Sequence, residues 1–196
     1  MSRIGNQPVP LPAGVKATVA DGRIEVAGPL GTLTQTFAPA LRVTVDEAAK
    51  QIRVERMNEL RQTKALHGLI RSLVANMVAG VTKAYTKALQ VVGLGYTAKL
   101  QGKDLVFQVG FANPVVVSIP EGVKVEPPVT GSMLVIGVGS VPCTTLRLSS
   151  PDKQLVGELA ARIRRIKPPD PYKAKGIRFE GEEIKRKAGK AFGTQE

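Results

Sequence analysis

The chain has 196 residues, 43% of them apolar, a mean hydropathy near zero and a formal net charge of +12 with a sequence pI near 10.1. That apolar share excludes a chain disordered throughout, and a lone cysteine (Cys143) with a lone histidine (His67) excludes an internal disulfide and leaves too few ligands for a zinc site. No apolar run approaches the roughly 20 residues of a bilayer span, and the first residues lack a signal-peptide core, so the chain reads as cytosolic.

In the first half, strands are expected over 15–20 and 23–27, flanking Asp21-Gly22, a strong two-residue hairpin signal. Alternation of apolar and polar residues predicts further strands over 32–37, 42–46 and 51–56. Leu66, Leu69, Ile70, Leu73 and Met77 then fall on one face at helical spacing, with Gly80 as the expected stop and His67 beside the stripe, at the surface or a sheet edge. In the second half, strands are expected over 87–92, 96–100, 105–109, 115–119, 133–138 and 144–148, with Cys143 as a small buried hydrophobe. Ser150-Pro151 reads as an N-cap followed by Pro at the first helical position. From there Leu155, Leu159, Ile163 and Ile166 face a sheet until Pro168 ends the helix.

The two halves resemble each other. Leu11-Pro12-Ala13-Gly14-Val15-Lys16 matches Ile119-Pro120-Glu121-Gly122-Val123-Lys124, and the helical run from Thr63 to Ile70 matches the run from Asp152 to Leu159 in the same order. A diverged duplication accounts for this. The expected fold is α+β: two tandem similar domains, 1–81 and 82–167, each a small, mostly antiparallel sheet with one helix packed on it. A basic extended arm, 168–196, follows.

The arm and the helix end before it carry the charge. Residues 162–196 hold eleven Lys or Arg against five Asp or Glu, a surplus that is half of the chain's net charge. Pro168, Pro169 and Pro171 stiffen the stretch, while Tyr172, Ile177, Phe179 and Ile184 supply anchors that a solvated basic tail has little use for. Cations on a semi-rigid strap suit a polyanion, because each one that meets a phosphate releases a condensed counterion. A helix C-terminus also favours cations by about 0.3–1 kcal/mol each, which covers one or two of these residues and not the whole run. Without Trp and with 4% aromatics, stacking of successive bases is disfavoured, so backbone and shape recognition of folded, largely double-stranded RNA fits better, although charge alone does not separate RNA from DNA.

No catalytic constellation is evident. Gly93-Leu94-Gly95 lacks the third glycine of a dinucleotide fingerprint and sits among strands, and the adjacent acids Asp46-Glu47 and Glu182-Glu183 read as solvated turns. The chain is therefore read as a non-enzyme with no cofactor, metal, membrane or small-molecule substrate. Two other readings make different demands on the sequence. A nucleic-acid-processing enzyme would need clustered acids or a base–nucleophile pair. A protein adaptor would use mainly the first domain, where residues 1–81 carry ten basic against six acidic side chains.

Pro169-Asp170-Pro171-Tyr172-Lys173-Ala174-Lys175-Gly176-Ile177-Arg178-Phe179, followed by Glu183-Ile184-Lys185-Arg186-Lys187, closely resembles the signature of the bacterial large-subunit ribosomal protein six family. The resemblance extends to the opening Met-Ser-Arg-Ile-Gly, to His67-Gly68-Leu69-Ile70-Arg71, to Asn76-Met77-Val78-Ala79-Gly80-Val81 and to Val92-Gly93-Leu94-Gly95-Tyr96. Two positions depart from the family pattern: Ala174 replaces a Gly, disfavouring a left-handed backbone there, and Phe179 replaces a Tyr, removing a hydroxyl. The resemblance implies a cytoplasmic, ribosome-bound structural protein that binds 23S ribosomal RNA near the sarcin–ricin loop at the stalk base, supporting assembly and translation. Its implied partners are neighbouring large-subunit proteins and the translational GTPases that dock there. The implied RNA-binding residues are Arg162, Arg164, Arg165, Lys167, Tyr172, Lys173, Lys175, Arg178, Lys185, Arg186, Lys187 and Lys190.

Overall fold

A computed structural model describes residues 3–135, 139–185 and 187. The chain divides into two compact units, one running to Tyr85 and including Ser150–Lys153, the other holding Thr86–Ser149 and the residues from Gln154 onward.

In the first unit, β1 (Val9–Pro10), β5 (Leu41–Asp46) and β6 (Gln51–Arg56) form an antiparallel sheet in the order β1-β6-β5, and β2 (Lys16–Ala20), β3 (Arg23–Gly28) and β4 (Gly31–Thr36) form a second in sequence order. The β2–β3 register ends at Ala20 opposite Arg23, with Asp21 and Gly22 between them at φ 48° and 69°. Two consecutive positive φ values are what a tight turn needs to follow the twist of both strands. Inward side chains at every second position (Ile24, Val26, Val43, Ile52, Val54) meet Ile70, Val74, Met77, Val78 and Val81 of α1 (Arg61–Thr82). At 22 residues α1 is long and apolar enough to cross a membrane; here one face of it, Ile70, Val74, Met77, Val78 and Val81, packs in the core of the unit.

Two expectations for α1 are corrected. Gly80 does not end the helix, which continues to Thr82; a β-carbon at Gly80 would lie 2.0 Å from the carbonyl oxygen of Pro151, so the glycine is there for close approach. His67 is 2% exposed, not at the surface, and Leu69 is the exposed one. The His67 Nε2–H donates to the Val54 carbonyl at 2.8 Å, which satisfies part of a ring that periodicity alone would place outside. Gly5 crosses that ring so closely that a β-carbon would sit 2.4 Å from Nδ1.

The second unit is built on β7 (Tyr85–Val92), β8 (Thr97–Gln101), β9 (Asp104–Gln108), β10 (Val115–Ser118), β11 (Lys124–Val125), β12 (Val129–Val135), β13 (Gly139–Ser150) and β14 (Gly176–Phe179). One antiparallel sheet runs β10-β9-β8; the other runs β11-β13-β7-β14, with β12 also on β13. The helix α2 (Lys153–Ile166) buries Val156, Leu159, Ala160 and Ile163 against Leu89, Val91, Leu105, Phe107, Leu146, Leu148 and Ile177. Before it, the Asp152 N–H donates to the Ser150 hydroxyl at 3.1 Å, so Ser150 caps the entry turn and the helix begins two residues after Pro151. The fold is thus α+β, with two helices and several small antiparallel sheets among the described residues. The strand expected over 133–138 ends within residues outside those described, and β13 is far longer than the 144–148 expected.

The main difference from the sequence reading lies after α2. Part of the basic stretch is not an arm but strand β14, antiparallel to β7 with Ile177 opposite Val91 and Phe179 opposite Leu89. The reason is Ile177, which is fully buried with the core of the unit. Such a side chain contributes roughly 1.5–3 kcal/mol by leaving water. Ile177→Ala should therefore lower the stability of the second unit by about 2–5 kcal/mol. Urea unfolding monitored by hydrogen exchange at the Leu89 and Val91 amides measures this, and the first unit's amides should be unaffected.

Candidate nucleic-acid interface

Between α2 and β14 the backbone folds on itself. The Asp170 N–H donates to the Lys175 carbonyl at 2.8 Å, the Ala174 N–H to the Asp170 carbonyl at 2.9 Å and the Lys173 N–H to the Asp170 carboxylate at 2.9 Å. The Ile177 N–H donates back to the Lys167 carbonyl at 2.8 Å, and the Lys187 N–H to the Pro171 carbonyl at 3.0 Å. Gly176, at φ +142°, passes under the prolines: a β-carbon there would lie 2.7 Å from the Pro168 carbonyl oxygen and from the Pro169 α-carbon. Ala174 does take the left-handed conformation, at φ 57°, that its side chain disfavours. Its methyl group is buried with Val92, Val141 and Cys143. Burying one methyl is worth about 0.8 kcal/mol, close to the roughly 1–2 kcal/mol the conformation costs.

This strap sorts the cations singled out by sequence. Arg162 lies on the exposed face of α2 and pairs with Glu158 one turn back, at 3.3 Å. Arg164 is committed inside the unit: its Nε and Nη2 donate to the two Glu182 carboxylate oxygens at 3.1 and 2.5 Å, and its guanidinium lies 5.8 Å from the Phe179 ring centroid. Arg178 is part-buried, donating through Nε to the Gln90 amide oxygen at 3.4 Å and through Nη2 to the Met133 sulfur. Neither acceptor is charged, so the Arg178 guanidinium is oriented without being neutralised by them.

The others face outward. Arg165, Lys173, Lys185 and Lys187 are exposed and Lys175 half-buried, and none of them is in an ion pair among the described residues. The Lys167 ammonium sits 4.8 Å from the Phe111 ring centroid. Tyr172 is half exposed on the strap itself. Arg186 and Lys190 lie outside the described residues.

Sequence reasoning missed two features here. Glu182, read as a solvated turn residue, is the counter-ion that ties the segment after β14 to α2, and it also accepts the Phe179 N–H at 3.0 Å. The short Glu–x–x spacing to Phe179 gave no sign of a partner eighteen residues upstream. Phe111, partner of Lys167, sits in an exposed loop with no helical or strand period to mark it. Cys143 is buried, and burial pushes its thiol pKa up, so it is held protonated and poorly nucleophilic. Among the described residues no group of three or more His, Cys, Asp or Glu converges in a way that could hold a metal.

The Arg164 hydrogen bonds hold the Glu182 carboxyl below its ordinary range, against the opposing effect of its partial burial. A depressed carboxyl contributes stability that is present above the ordinary carboxylate range and is lost as pH falls through the folded value. Glu182→Gln should destabilise the second unit by about 1 kcal/mol at neutral pH, as expected for a partly exposed bidentate pair. Thermal unfolding across pH 7 to 3 checks this: the gap from the unsubstituted chain should close toward the acid end, where Glu182 itself becomes protonated.

Compared with known proteins, the chain is matched by the family model described as ribosomal protein L6 over residues 11–84 and 92–180, two segments that correspond to the repeated halves. It is 45% identical over 193 residues to the large ribosomal subunit protein uL6 of Carboxydothermus hydrogenoformans, covering 98% of each chain. It is 46% identical over 194 residues to the uL6 protein of Salinispora tropica, covering 97% of this chain and 98% of the relative. The uL6 protein of Dictyoglomus turgidum is 46% identical over 192 residues, with 97% and 98% coverage.

Proposed function

This chain belongs to the ribosomal protein L6 family, and from that premise we propose that it is a structural constituent of the large ribosomal subunit that binds 23S ribosomal RNA through the second unit and its strap. The observation that carries the proposal is the sorting of the cations. Arg164 is neutralised within the protein and Arg178 is held by Gln90 and Met133 with its charge also acting on Glu182, whereas Arg165, Lys167, Lys173, Lys175, Lys185 and Lys187 have no carboxylate partner among the described residues and stand on or beside one backbone-locked segment. A fixed, uncompensated array of this kind loses little conformational entropy on meeting a phosphate surface and gains from counterion release.

Arg165 and Arg178 can clamp two phosphate oxygens each, while the lysines act as point charges. Arg162 joins them by exchanging its exposed Glu158 partner for phosphate, a pair worth well under 1 kcal/mol to break. Tyr172 belongs to the same proposed surface, and Arg186 and Lys190 are kept as RNA contacts on their charge alone. The domain division at 81 and 167 is kept as a functional one: the first domain braces, and the second, with residues from 168 onward, binds. The proposed location, by family resemblance, is near the sarcin–ricin loop at the stalk base, with neighbouring large-subunit proteins and docking translational GTPases as partners in the cytoplasm. There the protein would stiffen the RNA and support assembly, without catalysing a reaction.

Binding of the full chain to a protein-free 23S rRNA transcript tests this. If about seven phosphates are engaged, log affinity should fall with log salt at a slope of about −5 to −6. Lys173→Gln combined with Lys175→Gln should flatten that slope by about 1.5 and leave thermal unfolding unchanged. An unaltered slope would refute the strap as the phosphate contact.

A further inference from the structure

Two loops of the second unit end side by side. Gly93 and Gly110 both pack on the ring of Tyr96: β-carbons built on them would lie 2.7 Å from its Cδ2 and 3.2 Å from its Cε1. The residue after each glycine is a large apolar side chain turned out to solvent, Leu94 at 70% exposure and Phe111 at 44%. Every residue from Gly110 to Pro114 is exposed. The Lys167 ammonium, from the end of α2, lies over the Phe111 ring at 4.8 Å. Val92, the residue before Gly93, pairs with Gly176, which is wedged against the backbone of Lys167, Pro168 and Pro169. The loop bearing Leu94 therefore leaves the strand that pairs with β14, and the loop bearing Phe111 meets Lys167 at the start of the strap.

We propose that Phe111, with the Lys167 ammonium over its ring, is a stacking site for one unpaired nucleobase of the RNA whose phosphates the strap holds. The inference rests on the proposed RNA-binding function and adds to it a contact that phosphate neutralisation does not supply. A protein partner would also suit exposed apolar groups, but the neighbouring cations favour a polyanion. Lys167 is already over the ring, and the strap beyond it presents Lys173 and Lys175. A single exposed aromatic beside a cation suits one splayed-out base at a bulge or loop, where RNA is commonly recognised by stacking, and does not suit a run of stacked bases. The Lys167 ammonium can leave the ring for the phosphate of the stacked nucleotide while its methylenes stay in contact with the ring edge. The low aromatic content of the sequence argued against stacking as a general mode; one placed ring is enough for a single base.

The test uses the full chain and protein-free 23S rRNA, with affinity measured across a salt series for the unsubstituted protein, Phe111→Ala, Phe111→Leu and Phe111→Tyr. Stacking is worth about 1–3 kcal/mol per base, so Phe111→Ala should bind about 5- to 150-fold more weakly at every salt concentration. The slope against salt should not change, because no counterion is involved. Phe111→Tyr should bind as the unsubstituted protein does, and Phe111→Leu should resemble the alanine variant. Unchanged affinity in Phe111→Ala overturns the stacking site and leaves the strap intact. Retention of affinity by Phe111→Leu overturns it in favour of simple apolar contact. Normal RNA binding with reduced incorporation into reconstituted subunits overturns it in favour of a protein contact. The slope of the unsubstituted protein reports on the strap separately, so a failure of the underlying function is read without reference to Phe111.

Discussion

The pairing of β14 with β7 is the constraint on which the rest of the molecule's chemistry depends. It places Ile177 in the core of the second unit, and through the Lys167–Ile177 and Asp170–Lys175 hydrogen bonds it fixes both ends of the loop between them. Without that pairing, residues 168–187 would be a basic tail whose many conformations would have to be given up on binding. With it, the prolines, Ala174 and Gly176 hold one backbone path before any partner arrives. A strained alanine is tolerated because its methyl group fills a small apolar cluster beneath the strap.

The same constraint explains why the basic residues do not all do one thing. An antiparallel strand sends alternate side chains to opposite faces, so Ile177 and Phe179 turn toward α2 and Arg178 turns away, toward Gln90 and Met133. Arg164 and Glu182 then close the helix onto the chain after β14, using one cation for internal fastening. Phe179 is covered on its way out by Arg164 and by Lys87, whose ammonium lies 5.9 Å from its ring. The substitution of Phe for the family's Tyr thus falls where a ring bracketed by cations is kept and a hydroxyl is dispensed with. Charge left over from these duties is what the proposed RNA contact can use.

Much of this was legible in the sequence, and the exceptions have physical causes. The Asp21-Gly22 hairpin, the α2 stripe and the duplicated halves follow from local rules, turn chemistry and period, that tertiary contacts did not override. The charge surplus at the C-terminal end was legible too, and the apolar anchors Ile177 and Phe179 hinted that the stretch was not free. A strand as short as β14 between glycine and proline signals cannot be told from an extended linker until its partner strand is known. His67 was misplaced because a histidine can be buried wherever one carbonyl, here that of Val54, meets its ring N–H, and periodicity carries no information about that. The Arg164–Glu182 pair and the Phe111–Lys167 contact join residues far apart in sequence, so charge counting could not separate occupied cations from available ones.

The most direct measurement is lysine labelling with an amine-specific acetylating reagent, read by mass spectrometry, on the free chain and on the chain in purified large subunits. If the backbone-locked strap is the surface that meets RNA, Lys173, Lys175, Lys185 and Lys187 label readily in the free chain and are strongly protected in the subunit. Lys16 and Lys50, exposed on the first unit, serve as the internal comparison. Equal labelling of the four strap lysines in both states would contradict the central claim.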